Sequence, residues 1–268
     1  VDLSKLIPTK AFASRSQMFD AKMSPDGSKF AFQVVEGGRT RISIFDSNTR
    51  EPVQILDVGE GGTLAWFRWA GNEKVLFSLN ARTLVYFFFV PTTRLMFHDL
   101  TTKKTHFVGL EEQGFEGDDV LHIDPAGNNI LLSLSEKTLR DPSVYRFQLD
   151  GSGEETAQRV QKRKHGIDEW WADNSGVIRL GMKRRGRSKL SFYYRATAEE
   201  DLEHVAKVRR GATAERQPTE PAKGRTIVAG LSPLHVMKWK QVGDRLCLEI
   251  PAGHDVLRFN VWTTAVDD

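Results

Sequence analysis

A serine hydrolase presents its nucleophile on a sharp strand-to-helix turn, Gly-x-Ser-x-Gly, so that the hydroxyl faces the oxyanion donors. The nearest string in this chain is Gly230-Leu231-Ser232-Pro233-Leu234. It lacks the second glycine, and its proline removes a backbone donor, so no nucleophile is read there. The seven histidines are scattered. His98 and Asp99 are adjacent, and a strand would turn them to opposite faces. His122 and Asp124 could share a face, but two ligands make a poor metal site. Gly59-Glu60-Gly61-Gly62 is followed by a strand-like run, so the helix N-terminus that would hold a phosphate is missing. The acidic pairs Glu111-Glu112 and Glu199-Glu200 read as solvated charge. A single cysteine, Cys247, excludes an internal disulfide framework and a Cys-based zinc site. The expectation is therefore no catalytic residue, no metal and no cofactor.

Two segments have the composition of binding surfaces. Between Arg159 and Arg210 there are 14 Lys and Arg against 7 Asp and Glu, a local +7 that leaves −4 for the rest of a +3 chain. Lys162-Arg163-Lys164 and Lys183-Arg184-Arg185-Gly186-Arg187 head this stretch and could meet phosphates. No aromatic ladder interleaves them as single-strand binding requires, so nucleic acid is disfavoured and a solvated hairpin tip is the better reading. The second segment is the run Leu84-Val85-Tyr86-Phe87-Phe88-Phe89-Val90. An additional buried strand is the favoured reading, because three consecutive phenylalanines in water would make an apolar patch that soluble monomers rarely carry. The functional alternative is an aromatic insertion at the face of a rigid scaffold. Tyr86, Phe87, Phe88, Phe89, Arg184 and Arg185 are the candidate contacts to substrate or partner.

The elements that must position these residues repeat. Five times a short apolar or aromatic segment runs into a turn, and a β-rich run follows. The turns are Ser24-Pro25-Asp26-Gly27, Ala70-Gly71-Asn72-Glu73, Asp124-Pro125-Ala126-Gly127, Ala172 to Gly176 and Lys240-Gln241-Val242-Gly243. Pro presets φ and Gly or Asn tolerates a positive φ, so these are tight hairpin turns. The runs after them are Lys29 to Val35, Lys74 to Leu79, Asn129 to Leu134, Val177 to Met182 and Arg245 to Ile250, alternating or continuously apolar as inner strands are. Third strands follow at Arg41 to Asp46, Arg94 to Leu100, Ser143 to Leu149, Lys189 to Arg195 and Val256 to Thr263. Fourth strands follow in the first four units only.

Gly27, Gly71, Gly127, Gly176 and Gly243 are separated by 44, 56, 49 and 67 residues. Four strands recurring at about 40–50 residues are the signature of a β-propeller blade. Each such sheet has two apolar faces and buries them by stacking on its neighbours. A β-sandwich, the competing all-β architecture, would not repeat this order of turns and strands. The fold expected is all-β: a β-propeller of four-stranded blades, about five readable, the last incomplete. Residues 1–17 form an N-terminal extension, 18–208 blades one to four, 209–226 a polar linker or long loop, and 227–268 a partial fifth blade. The chain has 268 residues, 40% hydrophobic and 27% charged, enough for a sizeable core. No apolar run reaches the roughly 18 residues that cross a bilayer as a helix.

Several of these words also resemble a known family. Ile7-Pro8 through Phe12, then Met23-Ser24-Pro25-Asp26-Gly27-Ser28-Lys29-Phe30-Ala31-Phe32, is similar to the first propeller blade of the prolyl oligopeptidase family of serine peptidases, especially its bacterial acylaminoacyl- and dipeptidyl-peptidase-like branches. Trp69 to Ser78 resembles blade two. Glu169-Trp170-Trp171 through Leu180, with Tyr193-Tyr194-Arg195, resembles a later one. In that family the propeller precedes an α/β-hydrolase domain, caps its active site and filters substrates by size. The resemblance covers roughly residues 5–208 and stops there, so the chain looks like a truncated or degenerate propeller portion. It implies a non-catalytic, substrate-gating propeller whose partner is a peptide substrate or a hydrolase domain not present in this chain. An autonomous protein-interaction propeller of the periplasmic Tol-system type is the alternative, with a basic phosphate-binding module third. Self-association through open sheet edges is expected. A first residue other than Met leads to the expectation of a mature periplasmic or secreted chain, with a cytoplasmic one as the alternative.

Overall fold

Strand alternation and turn chemistry produce five antiparallel units in chain order. The computed structural model describes residues 18–36, 38–58, 63–85, 87–136, 141–186, 189–209, 226–227, 238–242, 245–252 and 255–261. The first sheet is β1 (Met18–Met23), β2 (Lys29–Glu36), β3 (Arg39–Asp46) and β4 (Pro52–Asp57), in that order. The second is β5 (Thr63–Ala70), β6 (Lys74–Val85), β7 (Phe88–Asp99) and β8 (Lys104–Val108). The third is β9 (Asp119–Ile123), β10 (Asn129–Leu134), β11 (Ser143–Gln148) and β12 (Gln158–Gln161). The fourth is β13 (Glu169–Ala172), β14 (Ile178–Arg185), β15 (Lys189–Tyr194) and β16 (Glu203–Arg209), extended by the parallel two-residue β17 (Thr226–Ile227). The last sheet has three strands, β18 (Lys238–Val242), β19 (Arg245–Ala252) and β20 (Asp255–Val261). These up-and-down sheets are the blades of a β-propeller.

One turn device recurs between the first two strands. In the first blade Gly27 N donates to Ser24 O (2.9 Å), Ser24 N donates to Lys29 O (2.8 Å), and Gly27 takes φ +73°. In the third, Asp124 N donates to Asn129 O (2.9 Å) and Gly127 again takes +73°. In the fourth, Asp173 N donates to Val177 O (2.9 Å), with Gly176 at +76°. The strands around these turns share a register shift, seen between the first two strands of each of the first four sheets. Such a bulge increases the local twist of the strand that carries it. The fifth turn falls later than the sequence pattern places it. Lys240, Gln241 and Val242 are paired strand residues, and Val242 opposes Arg245. Residues 210–225, most of the expected 209–226 linker, lie outside the described residues, as do Gly230, Ser232 and Gly59–Gly62.

The chain divides into two compact units, Val1–His106 with Pro125–Gly127, and the remainder. In the first, Ala31, Ile42, Ile44, Leu56 and Val58 of blade one pack with Leu64, Phe67, Trp69, Val75 and Phe77 of blade two. Lys22 pins the seam, donating to Phe67 O (2.7 Å) while Trp69 Nε1 donates to Lys22 O (3.0 Å). In the second unit Leu131 and Val144 of blade three pack with Ile167, Trp170 and Ile178. Ile130 through Leu134, apolar except for Ser133, are buried throughout, as in a strand covered on both faces.

Candidate functional site

Blade two carries a hairpin longer than its sheet. β6 and β7 are each 12 residues and stay in register from Lys74↔Asp99 to Val85↔Phe88. Within the described residues β5 follows β6 only as far as Asn80, whose partner is Thr63. Ala81 to Val85 and Phe88 to Thr92 therefore continue as a two-stranded ribbon, five residues long and about 16 Å at roughly 3.3 Å per residue. Thr83, Val90 and the phenylalanines favour extended backbone, and the Thr83 and Thr92 hydroxyls bond across the ribbon at 3.2 Å.

The ribbon ends in water. Leu84 is 58% exposed, Phe87 91%, Phe88 75% and Phe89 69%. The run is thus not one additional strand: Leu84 and Val85 end β6, Phe87 stands in a turn and Phe88 to Val90 begin β7. Burial of Phe88 is overturned too, since past Asn80 no neighbouring strand or facing layer covers it among the described residues. Tyr86 lies outside them. Phe88→Ala is accordingly expected to leave stability within about 0.5 kcal/mol, the range for surface positions. A thermal melt checks this, and a midpoint lowered by many degrees would restore the buried reading.

The other predicted contacts stand elsewhere. Arg184 and Arg185 close β14 and are exposed, while Arg187 lies outside the described residues. Arg184 is held from both ends: its backbone N donates to Asp168 Oδ2 (2.6 Å) and its Nη2 donates to Glu169 Oε1 (2.9 Å). It is an anchored cation beside acidic residues, not a swinging tip. Lys164, from the other basic run, donates to Leu202 O (3.3 Å) and lies over the Tyr193 ring.

Sequence reasoning missed the acidic group that Arg184 faces. Asp119 and Glu169 are the first residues of β9 and β13. The Asp119 carboxyl is pushed up to about 7, first by desolvation, with the negative charges of Glu169, Glu116 and Asp118 adding and a hydrogen bond with Ser133 opposing. Asp119 as a whole residue is exposed, so its carboxyl is crowded by neighbouring protein yet open to water. Glu169 is also raised, mainly by desolvation, against the pull of Arg184. A raised carboxyl favours the proton in the folded state, so ionised Asp119 opposes folding. That penalty is absent below the ordinary carboxylate value, grows as pH rises, and is complete above about 7. Asp119→Asn should therefore leave the melting temperature unchanged near about pH 3.5 and raise it near about pH 8. An equal effect at both pH values would remove the charge account.

His98 and His122 serve packing. His98 is 3% exposed, its Nδ1 lies 2.8 Å from Thr105 Oγ1, and burial holds it below the usual imidazole range. His122 packs beneath Gly176. Ala196 N donates to Glu200 Oε2, so one acid of the second pair is engaged with local backbone, whereas in the first pair it is the Glu111 backbone N that donates, to the distant Glu154 carboxylate. Among the described residues no three His, Cys, Asp or Glu side chains gather as a metal site would need.

No family model matches the chain, and no curated protein matches it. Among solved structures it is similar to a prolyl endopeptidase, from work on two such enzymes and the role of inter-domain dynamics in their catalysis and specificity. The TM-score is 0.52 at 11% identity, covering 97% of this chain and 37% of that one. TolB from Acinetobacter baumannii aligns at 17% identity and TM-score 0.43, covering 88% of this chain and 52% of that one. The β-propeller domain of the Trilobed protease from Pyrococcus furiosus, which has an open velcro topology, aligns at 12% identity and TM-score 0.43, covering 91% and 64%. The first likeness shows a shared fold, and this chain spans 37% of that prolyl endopeptidase's length.

Proposed function

We propose that this chain is the non-catalytic propeller of a peptidase-type protein, controlling which peptides reach a hydrolase active site carried by other residues. The observation that supports this reading most is the fold match to a prolyl endopeptidase, over 97% of this chain but only 37% of that one. Gating of this kind would admit an extended peptide and exclude a folded domain by size alone. Arg184 and Arg185 would meet carboxylates on the peptide, and the raised acids Asp119 and Glu169 would favour its cationic groups once ionised.

The reading frame that encodes the chain provides the test. A strand, Gly-x-Ser-x-Gly and a downstream Asp and His are expected in the same polypeptide or in an associated one. Residues 1–268 alone should neither hydrolyse peptides or esters nor label with a fluorophosphonate probe, whereas the combined protein should do both. A full-length product with no such segment and no hydrolase copurifying with it would overturn the gating role and leave an autonomous interaction propeller.

A further inference from the structure

The β6–β7 arm stands apart from peptide filtering, and its chemistry is that of a lipid contact. We propose that it is a shallow wedge that docks the protein on an anionic bilayer surface. The ribbon's register fixes what each side carries. Phe88 shares a face with Thr83, Val90 and Thr92, while Phe89 shares the opposite face with Leu84, Arg82 and Pro91. Phe87 stands in the turn and is 91% exposed. Phenyl rings thus point to both faces and off the tip. A groove on a protein covers one face of a ribbon and leaves the other wet, whereas an apolar medium around the tip takes up all three rings together.

Charge selects the kind of surface. From Lys74 to His98 the sequence holds no Asp or Glu, and its charged residues are Lys74, Arg82 and Arg94. Arg82 is exposed and sits three residues behind Val85, about 10 Å from the turn at roughly 3.3 Å per residue. Interfacial segments bury their apolar part about 5–10 Å into the headgroup and acyl boundary. The guanidinium therefore reaches the phosphate level when the phenyl rings reach the acyl boundary, and anionic lipids are favoured. Insertion has to stay shallow, because a two-stranded ribbon has open edges whose backbone groups need water or headgroups. Pro91 lessens that burden by carrying no N–H.

Sedimentation with vesicles of phosphatidylcholine containing phosphatidylglycerol tests the proposal on the whole chain. The native chain is expected to bind these vesicles, and to bind pure phosphatidylcholine several-fold more weakly. Replacing Phe87, Phe88 and Phe89 together by serine should weaken binding by at least about tenfold, through lost apolar insertion. Arg82→Glu should weaken it by at least about fivefold on the anionic vesicles only. Equal melting temperatures would show that the variants fold. A native chain that stays in the supernatant, or a triple-serine variant that binds as well, overturns the proposal. So does concentration-dependent self-association without vesicles that the triple-serine change abolishes, since a second copy would then be the occupant. None of these outcomes depends on whether a hydrolase domain is found.

Discussion

Trp170→Ala is expected to lower stability by about 3–5 kcal/mol, the range for emptying a large aromatic from a core. Trp170 is 1% exposed and packs with Leu131, Val144, Ile167 and Ile178, so it joins the cores of blades three and four. Its Nε1 donates to Pro142 O at 2.7 Å, and truncation leaves that carbonyl without this donor as well as opening a cavity. The site cannot collapse easily, because strands on both sides are fixed by their own ladders. Opposite the ring lies Gly181, where a Cβ would fall 2.9 Å from Trp170 Cζ3 and 3.2 Å from Ile167 Cγ2. Trp170→Phe should therefore cost less than alanine, since it keeps part of the ring volume and loses the hydrogen bond. Urea denaturation of both variants decides the matter. A loss below about 1 kcal/mol for alanine would mean that the indole is not the keystone of this core.

The parts of this architecture written in local chemistry were legible before the structure. Ser24-Pro25-Asp26-Gly27 and Asp124-Pro125-Ala126-Gly127 encode turns through φ alone, and the strands that follow carry their burial in their alternation. What escaped the sequence depends on residues far apart along the chain. The Phe87 to Phe89 run has the composition of a core strand, and hydrophobicity argues for burial. Among the described residues β5 pairs β6 no further than Asn80, and nothing within the run encodes where that pairing ends. Asp119 and Glu169 are 50 residues apart, and each alone looks like a solvated acid. Their mutual effect arises because β9 and β13 open neighbouring sheets of one unit. Arg184 was legible as a cation but not as one tethered to Asp168 and Glu169, a pairing that follows from the β13–β14 register.

Gly71 shows the same limit at a turn, where the addition of a single carbon should be strongly damaging. Gly71→Ala is expected to lower stability by about 2–5 kcal/mol, as the sum of two costs. The backbone is at φ +62°, a region where an L side chain is strained, and that strain is worth about 1–2 kcal/mol. The second cost is contact. A Cβ there would sit 2.6 Å from Ala126 O and 2.9 Å from Ala126 C, within the first unit. These are backbone atoms, which cannot rotate away as a flexible side chain could. The approach is reciprocal, since a Cβ on Gly127 would meet Ala70 O, and Lys74 Nζ donates to Gly127 O at 3.1 Å. Gly186 supplies the control. It has nearly the same φ, +61°, with nothing within 4 Å of its added Cβ, so Gly186→Ala should show the backbone cost alone. The difference between the two variants in chemical denaturation measures the close approach of the turns. If both lose the same stability, that contact contributes nothing and Gly71 is needed for its φ only.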